Sequence, residues 1–440
     1  MRTELTSRER ILRTLAGEPV DHVPVAFSGI CHGDMGFLRS HFFDAFGEAD
    51  YLLSLGADAA VTVSAGLNIT REGVEIRDGE ETAPGGERLR FREYMTPEGA
   101  LRQAVRLGGA YPDGPVALFS DAHVPPRRSA KYLVDSPDEL AALRCLLRAP
   151  TPAEVAPSLV HAAEVRRFCD ARGILMSGTL QGVGDPLMWL SGVENVLFAA
   201  MDEPEFLDEY VDIVSRWSMA HLRLRLDMGV GLILRRGWYE SADFWSPALY
   251  ERFLLGPLRR EVELAHDAGV KYAYVMNSGV TPLAGLIRQA GVDILTNTEP
   301  EKDDLRVIKG VIGGAVTMCT GVNNYHVLEA GGEDEVEAAV VRAMEELAPG
   351  GRFILSPSDS INYEGAGTEL GMGTIAGGVG LELGLRDGGA GLNAGDAGLI
   401  DDSAGGSVGA VGGIAGVVAR RDAVSMRNFR KMLEVWRRLA

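Results

Sequence analysis

A single (β/α)8 TIM-type barrel is the fold class this α/β sequence predicts, and three observations predict it. Short apolar runs alternate with longer amphipathic stretches along most of the chain, the pattern of a parallel sheet. The unit recurs often enough to favour a closed barrel over an open sheet. At 440 residues with 46% apolar residues, the chain is long enough to build one large barrel around a substantial core.

The elements follow in order. Thr6 or Ser7 caps a first helix whose apolar face is Ile11, Leu12 and Leu15. The run from Asp21 to Phe27, with its Val23-Pro24-Val25 centre, reads as a buried strand. Further strands are predicted at 59–64, 116–120, 174–179, 231–235, 272–276, 293–296, 315–319 and 353–357. Helical periodicity covers 194–214, 247–268, 283–290 and 333–347. Residues 70–107 are rich in charge and glycine and read as an antiparallel hairpin excursion from the barrel. The segment 362–417 is glycine-rich without a sustained period, the composition of a low-complexity insertion. It reads as a disordered surface loop, with a mobile lid over the mouth as the alternative. A clear amphipathic helix within 418–440 completes the barrel begun by residues 1–361.

Composition excludes several function classes. The net charge is −19 and no long basic stretch exists to track a phosphate backbone, so nucleic acid is not an expected partner. No apolar run reaches membrane-spanning length, and the N-terminus lacks the apolar core of a signal peptide. Cys31, Cys145, Cys169 and Cys319 are scattered, with no CxxC spacing, so a reduced, cytoplasmic setting is expected.

In a barrel of this type the active site lies at the C-terminal ends of the strands. The richest such end begins at Leu234 and carries Arg235, Arg236, Trp238, Tyr239, Glu240, Asp243 and Trp245 before the Ser246-Pro247 helix start. Arginine there suits a carboxylate, and the aromatic pair supplies an apolar wall. The alternative is a structural salt bridge to Glu240 or Asp243. Strand alternation forbids both arginines facing the mouth, and Arg236, beside Gly237, is the better choice. Other polar strand ends offer Asn277 and Ser278, Asn297 and Glu299, Asn323, and Ser358 with Asp359. Asp359 is either a general acid/base or a turn cap. Gly182-Val183-Gly184 lacks the third glycine of a dinucleotide fingerprint and is discarded.

The capped first helix, the Gly17-Glu18-Pro19 turn, the Val-Pro-Val strand and the Met276-Asn277-Ser278-Gly279 strand end together resemble the uroporphyrinogen decarboxylase superfamily, which includes cobalamin-linked methyltransferases. In many of those methyltransferases this strand end reads His-x-Cys-Gly and binds a catalytic zinc. Met276 and Ser278 stand at the ligand positions here, and neither is a credible zinc ligand. A further zinc-binding Cys of such relatives falls near Ser358 and Asp359. The resemblance also implies, for a porphyrin substrate, an arginine motif after the first strand and an aspartate after the second. No arginine occurs between Phe27 and Leu38, and no aspartate occurs from Val61 to Asn68. A substitute metal site from Cys31, His32, Asp34 and Cys319 has suitable residue types, but adjacent Cys31 and His32 would point apart. The expectation is therefore a divergent member without metal or other cofactor, acting on a small carboxylated molecule by decarboxylation or a related lyase step. Arg235 or Arg236 would anchor the carboxylate, Glu240 or Asp359 would move the proton, and Trp238, Tyr239, Asn277, Ser278, Asn297 and Asn323 would contact the substrate. The alternatives are a methyltransferase-like protein working with a corrinoid protein partner, and a non-catalytic binding barrel.

Overall fold

The computed structural model describes residues 4–33, 35, 44–64, 69, 72–108, 116–121, 124–361 and 411–440, with the backbone alone over 411–423. Its strands in chain order are β1 (Ala60–Val63), β2 (Glu75–Thr82), β3 (Arg88–Thr96), β4 (Gly99–Arg106), β5 (Ser129–Lys131), β6 (Leu175–Gln181), β7 (Leu232–Arg236), β8 (Lys271–Val275), β9 (Ile294–Thr296), β10 (Thr317–Val322) and β11 (Phe353–Pro357). The α-helices are α1 (Ser7–Ala16), α2 (Ala45–Ser54), α3 (Leu140–Leu146), α4 (Pro152–Arg172), α5 (Gly184–Ser191), α6 (Val193–Asp202), α7 (Pro204–Met228), α8 (Pro247–Tyr250), α9 (Gly256–Asp267), α10 (Ala284–Ala290), α11 (Leu305–Ile312), α12 (Glu333–Leu347) and α13 (Val411–Leu439). The glycine-rich segment and Asp34 lie outside the described residues, apart from the segment's last residues, which open α13.

Seven parallel strands make one curled sheet in the order β1-β6-β7-β8-β9-β10-β11. Its two edges are joined by one segment. Val25 bridges to Leu355 of β11, and Ala26 bridges to Asp58 just ahead of β1. The predicted first strand thus appears as this short connecting bridge. Residues 116–120 are not a strand. β1 pairs directly with β6, which leaves no place in the sheet between them. The apolar character of 116–120 is used in packing instead: Val116 and Leu118 are buried, and Phe119 lies 5.7 Å from the Trp189 ring and 5.2 Å from that of Trp217. The predicted helix 194–214 is two helices, because Pro204 has no N–H to continue α6 and instead opens α7. The excursion is an antiparallel sheet, β2-β3-β4-β5, larger than a hairpin.

Strand alternation sorts side chains between two cores. Inside the sheet lie Ala26, Cys31, Ala60, Leu175, Leu232, Leu234, Ala273, Ile294, Cys319 and Ile354, stoppered by Ile11 and Leu15 of α1. The opposite face packs on the helices. The ring of Phe429 on α13 meets that of Phe27 edge-on at 4.9 Å, and Trp436 donates its indole N–H to the Val23 carbonyl at 2.8 Å. The last helix therefore seals the wall where the sheet's edges are bridged. Among the described residues no helix is long and apolar enough to cross a membrane.

Candidate active site

β7 decides which arginine reaches the mouth. Leu232 and Leu234 belong to the inner core, so the next residue on that face is Arg236, and Arg235 points out toward the helices with Ile233. Arg235 is fully buried there in an ionic network. Its Nη1 donates to Glu240 Oε2, and its Nε donates to Glu261 Oε2 at 3.0 Å. Tyr274 donates to Glu240 at 2.5 Å, and Tyr272 donates to Glu261 at 2.8 Å. Glu240 Oε1 accepts the N–H groups of Val183 (3.0 Å) and Gly184 (2.7 Å). Burial alone would lower the pKa of Arg235; Glu240 and Glu261 outweigh it and hold the pKa well above its ordinary value.

This network revises two expectations. Arg235 does not face the mouth, and Glu240 is not placed to move a substrate proton, because its oxygens are already engaged by buried donors. Glu240 is a strut that fixes the turn after β6. The same contacts explain Gly182 and Gly184. A Cβ on Gly184 would come within 2.4 Å of Glu240 Cγ, and one on Gly182 within 2.5 Å of Arg235 Cζ.

Arg236 is only 4% exposed, yet its Nε and Nη2 have no hydrogen-bond partner among the described residues. Its guanidinium lies 3.8 Å from the Trp238 ring centroid and 5.2 Å from that of Trp189, in cation–π contact. Burial lowers its pKa, and the nearby charges of Asp185, Asp121 and Asp359 only partly offset this. Taking a cation out of water without hydrogen-bonded partners costs several kcal/mol. Nε and Nη2 are thus two donors left available at the mouth of the sheet.

Around it other polar atoms lack hydrogen-bond partners among the described residues. They include Asp185 Oδ2, Trp238 Nε1, Asn277 Oδ1, His32 Nδ1 and Gln181 Oε1, the last on the residue beside Arg236 in the β6–β7 ladder. The His32 ring stands edge-on to Trp238 at 4.9 Å; burial and then Arg236 push its pKa down to about 3, so it is neutral at physiological pH. Asn277 donates to Asp359 Oδ2 at 2.9 Å, and Asp359 Oδ1 accepts the Ser360 N–H at 2.7 Å. Burial raises the pKa of Asp359. Tyr239 and Trp189 both donate to Asp121 Oδ1, at 2.9 and 2.6 Å.

The structure thus gathers Arg236, Trp238, Tyr239, Asn277 and Asp359 of the predicted set. Three others are engaged elsewhere. Asn297 adopts a positive φ of 72° and clamps the His32 backbone, accepting its N–H at 3.0 Å and donating to its carbonyl. Ser278 donates to Asp243 at 2.6 Å. Asn323 caps the turn after β10, accepting from the His326 N–H at 2.7 Å and donating to Glu301 at 2.6 Å. Sequence reading missed Asp121, Asp185, Trp189 and His32 as a group. The position of Asp185, shortly after a strand end, was the available signal.

The zinc that the resemblance implies in many relatives does not fit these residues. Met276 is buried in the outer core, Ser278 is bonded to Asp243, and the region where the resemblance implies a further cysteine holds Ser358 and Asp359. Cys31 lies inside the sheet while the His32 ring faces Trp238, so the two do point apart. Among the described residues no three His, Cys, Asp or Glu side chains converge as a metal site.

Comparison with known proteins agrees with this architecture. The family model described as uroporphyrinogen decarboxylase (URO-D) matches residues 187–364. A methyltransferase from Methanosarcina mazei has a similar fold, with a TM-score of 0.51 at 20% identity over 81% of this chain and 94% of that one. Residues 187–364 thus resemble the uroporphyrinogen decarboxylase family, and the fold over most of the chain is similar to that of the methyltransferase. A D-psicose 3-epimerase with D-tagatose from Clostridium cellulolyticum H10 matches at 12% identity over 45% of this chain and 69% of that one, with a TM-score of 0.28, too distant to carry an argument. No curated protein sequence matches.

Proposed function

We propose that this chain is a divergent uroporphyrinogen decarboxylase-superfamily enzyme that binds a small carboxylated molecule at Arg236 and cleaves a carbon–carbon bond by a decarboxylase-type step, without zinc. The observation that carries the reading is the buried Arg236 guanidinium, set against two indole rings, whose Nε and Nη2 have no hydrogen-bond partner among the described residues. Its fork of donors matches a planar carboxylate or the charge of a developing carbanion, and preorganised charge of this kind needs no metal. Trp238 and Trp189 form the wall, Asn277 orients the ligand with Asp359 behind it, and a carboxyl group at the mouth supplies the proton. We also infer that Val25 and Ala26 act as the eighth stave of a closed barrel spanning 1–361. Residues 362–417 are then an insertion, and the final helix completes the wall. The unused hydrogen-bonding capacity around Arg236 argues against a merely emptied scaffold.

The similarity in fold to a methyltransferase supports a second reading, methyl transfer with a corrinoid protein partner. Incubation of the purified chain with carboxylic acids, followed by detection of released CO2, tests the first reading. A change in the visible spectrum of an added methylated corrinoid protein, with no CO2 release, would favour the second.

A further inference from the structure

Directly after the turn that Glu240 fixes, Asp185 stands in the first turn of α5, close enough to Arg236, Glu240 and Asp121 to feel their charges. Its Oδ1 accepts the Tyr239 N–H at 2.8 Å, which sets the carboxyl's orientation. Its Oδ2 is buried and has no hydrogen-bond partner among the described residues, beside an arginine whose Nε and Nη2 are in the same condition. Two such groups without hydrogen-bond partners among the described residues leave donor and acceptor capacity that a ligand can use. The other carboxyl groups nearby are committed: Asp121 Oδ1 to two ring donors, both oxygens of Asp359, and Glu240 to its buried network. We propose that Asp185 is the proton donor of this site, with its free oxygen turned toward an anionic ligand held by Arg236. The inference rests on the carboxylate reading of Arg236 and names the acid that the reading requires.

Burial pushes Asp185 up to about 7, against the pull of Arg236, with Glu240 and Asp121 adding to the rise. The groups facing it are Arg236 from β7, Glu240 and Tyr239 from the turn at Trp238–Glu240, and Asp121 from the loop ahead of β5. A neutral carboxylic acid next to a buried cation donates a hydrogen bond where a carboxylate would repel the ligand. In the decarboxylation step the bond to the departing carboxylate breaks. Its electron pair stays on the substrate carbon, where Arg236 stabilises the charge, and the Oδ2 proton of Asp185 moves to that carbon. CO2 leaves, and the Asp185 carboxylate recovers a proton from water.

Titration calorimetry of the full chain with benzoate, salicylate and succinate, in buffers of different ionisation enthalpy, tests this directly. Binding to the unaltered protein takes up a proton near neutrality, and affinity falls roughly tenfold per pH unit above about pH 7. Asp185→Asn keeps a neutral donor, so it binds without proton uptake and without that pH dependence, while turnover falls about 100-fold or more. Binding by the unaltered protein without proton uptake overturns the assignment, and this measurement needs no variant to fold. Unchanged turnover in a folded Asp185→Asn also overturns it. If none of the three probes binds, the carboxylate reading of Arg236 and this inference fall together.

Discussion

Replacing Glu240 separates a structural role from a catalytic one. Its carboxylate serves four buried donors: Arg235 Nη1, the Tyr274 hydroxyl, and the N–H groups of Val183 and Gly184. Removing one partner of a buried ion pair costs about 3–5 kcal/mol. Each backbone N–H left without an acceptor adds roughly 1–3 kcal/mol unless water enters. Arg235 keeps Glu261, which holds the ionic part toward its lower end. The expected loss for Glu240→Ala is therefore about 5 kcal/mol or more, a large share of the roughly 5–15 kcal/mol that holds a domain folded. Glu240→Gln retains an oxygen for Val183 and Gly184 but sets its NH2 against Arg235 Nη1 and the Tyr274 hydroxyl, so about 3–5 kcal/mol is expected. Denaturant midpoints followed by circular dichroism measure both. If both variants keep the midpoint of the unaltered protein while turnover disappears, Glu240 acts on substrate and the strut reasoning is wrong.

Other predictions follow from the same geometry. Asp185, raised from 3.8 to about 7 in the folded state, binds its proton more tightly folded than unfolded. Stability therefore falls as pH rises between those values, by about 4 kcal/mol in total. Asp185→Asn should flatten that slope and melt higher than the unaltered protein at pH values above about 7; an unchanged slope refutes the assignment of Asp185 as a buried acid. Gly184→Ala places a methyl against Glu240 and should destabilise by roughly 1–3 kcal/mol; a neutral result in thermal melts means the turn shifts freely. Asn297→Gly tolerates the positive φ but loses the clamp on His32, so it should weaken ligand binding more than it lowers the melting temperature. Equal loss of both would make Asn297 a purely structural residue.

Much of the fold was legible because it rests on periodicity. Short apolar runs alternating with amphipathic helices located β6 to β11 and the helices behind them, and the alternation rule put Arg236, not Arg235, at the mouth. Residues 116–120 misled, since an apolar run records burial and not the presence of a ladder partner; these side chains pack on Trp189 and Trp217. The candidate site was less legible for a related reason. Residue type suggested Glu240, Asn297 and Asn323 as ligand contacts. Whether a polar side chain is free depends on partners far along the chain, such as Val183 for Glu240 and His32 for Asn297. Asp185 offered only its position shortly after a strand end; that one of its oxygens has no hydrogen-bond partner among the described residues is visible in the fold alone.

On the proposed function, Arg236 is buried for a ligand and not for the fold. Arg236→Met, which fills similar space without charge, tests it by comparing carboxylate affinity with the melting temperature of the ligand-free protein. The account predicts a melting temperature equal to or above that of the unaltered protein, because an unpaired buried cation is removed. It also predicts a loss of about 1.5–3 kcal/mol in binding, or roughly one to two orders of magnitude in affinity. Arg236→Lys should recover only part of the loss, since a point charge lacks the planar fork. A variant that melts well below the unaltered protein, with carboxylate affinity per folded molecule unchanged, would contradict the claim and make Arg236 a structural residue.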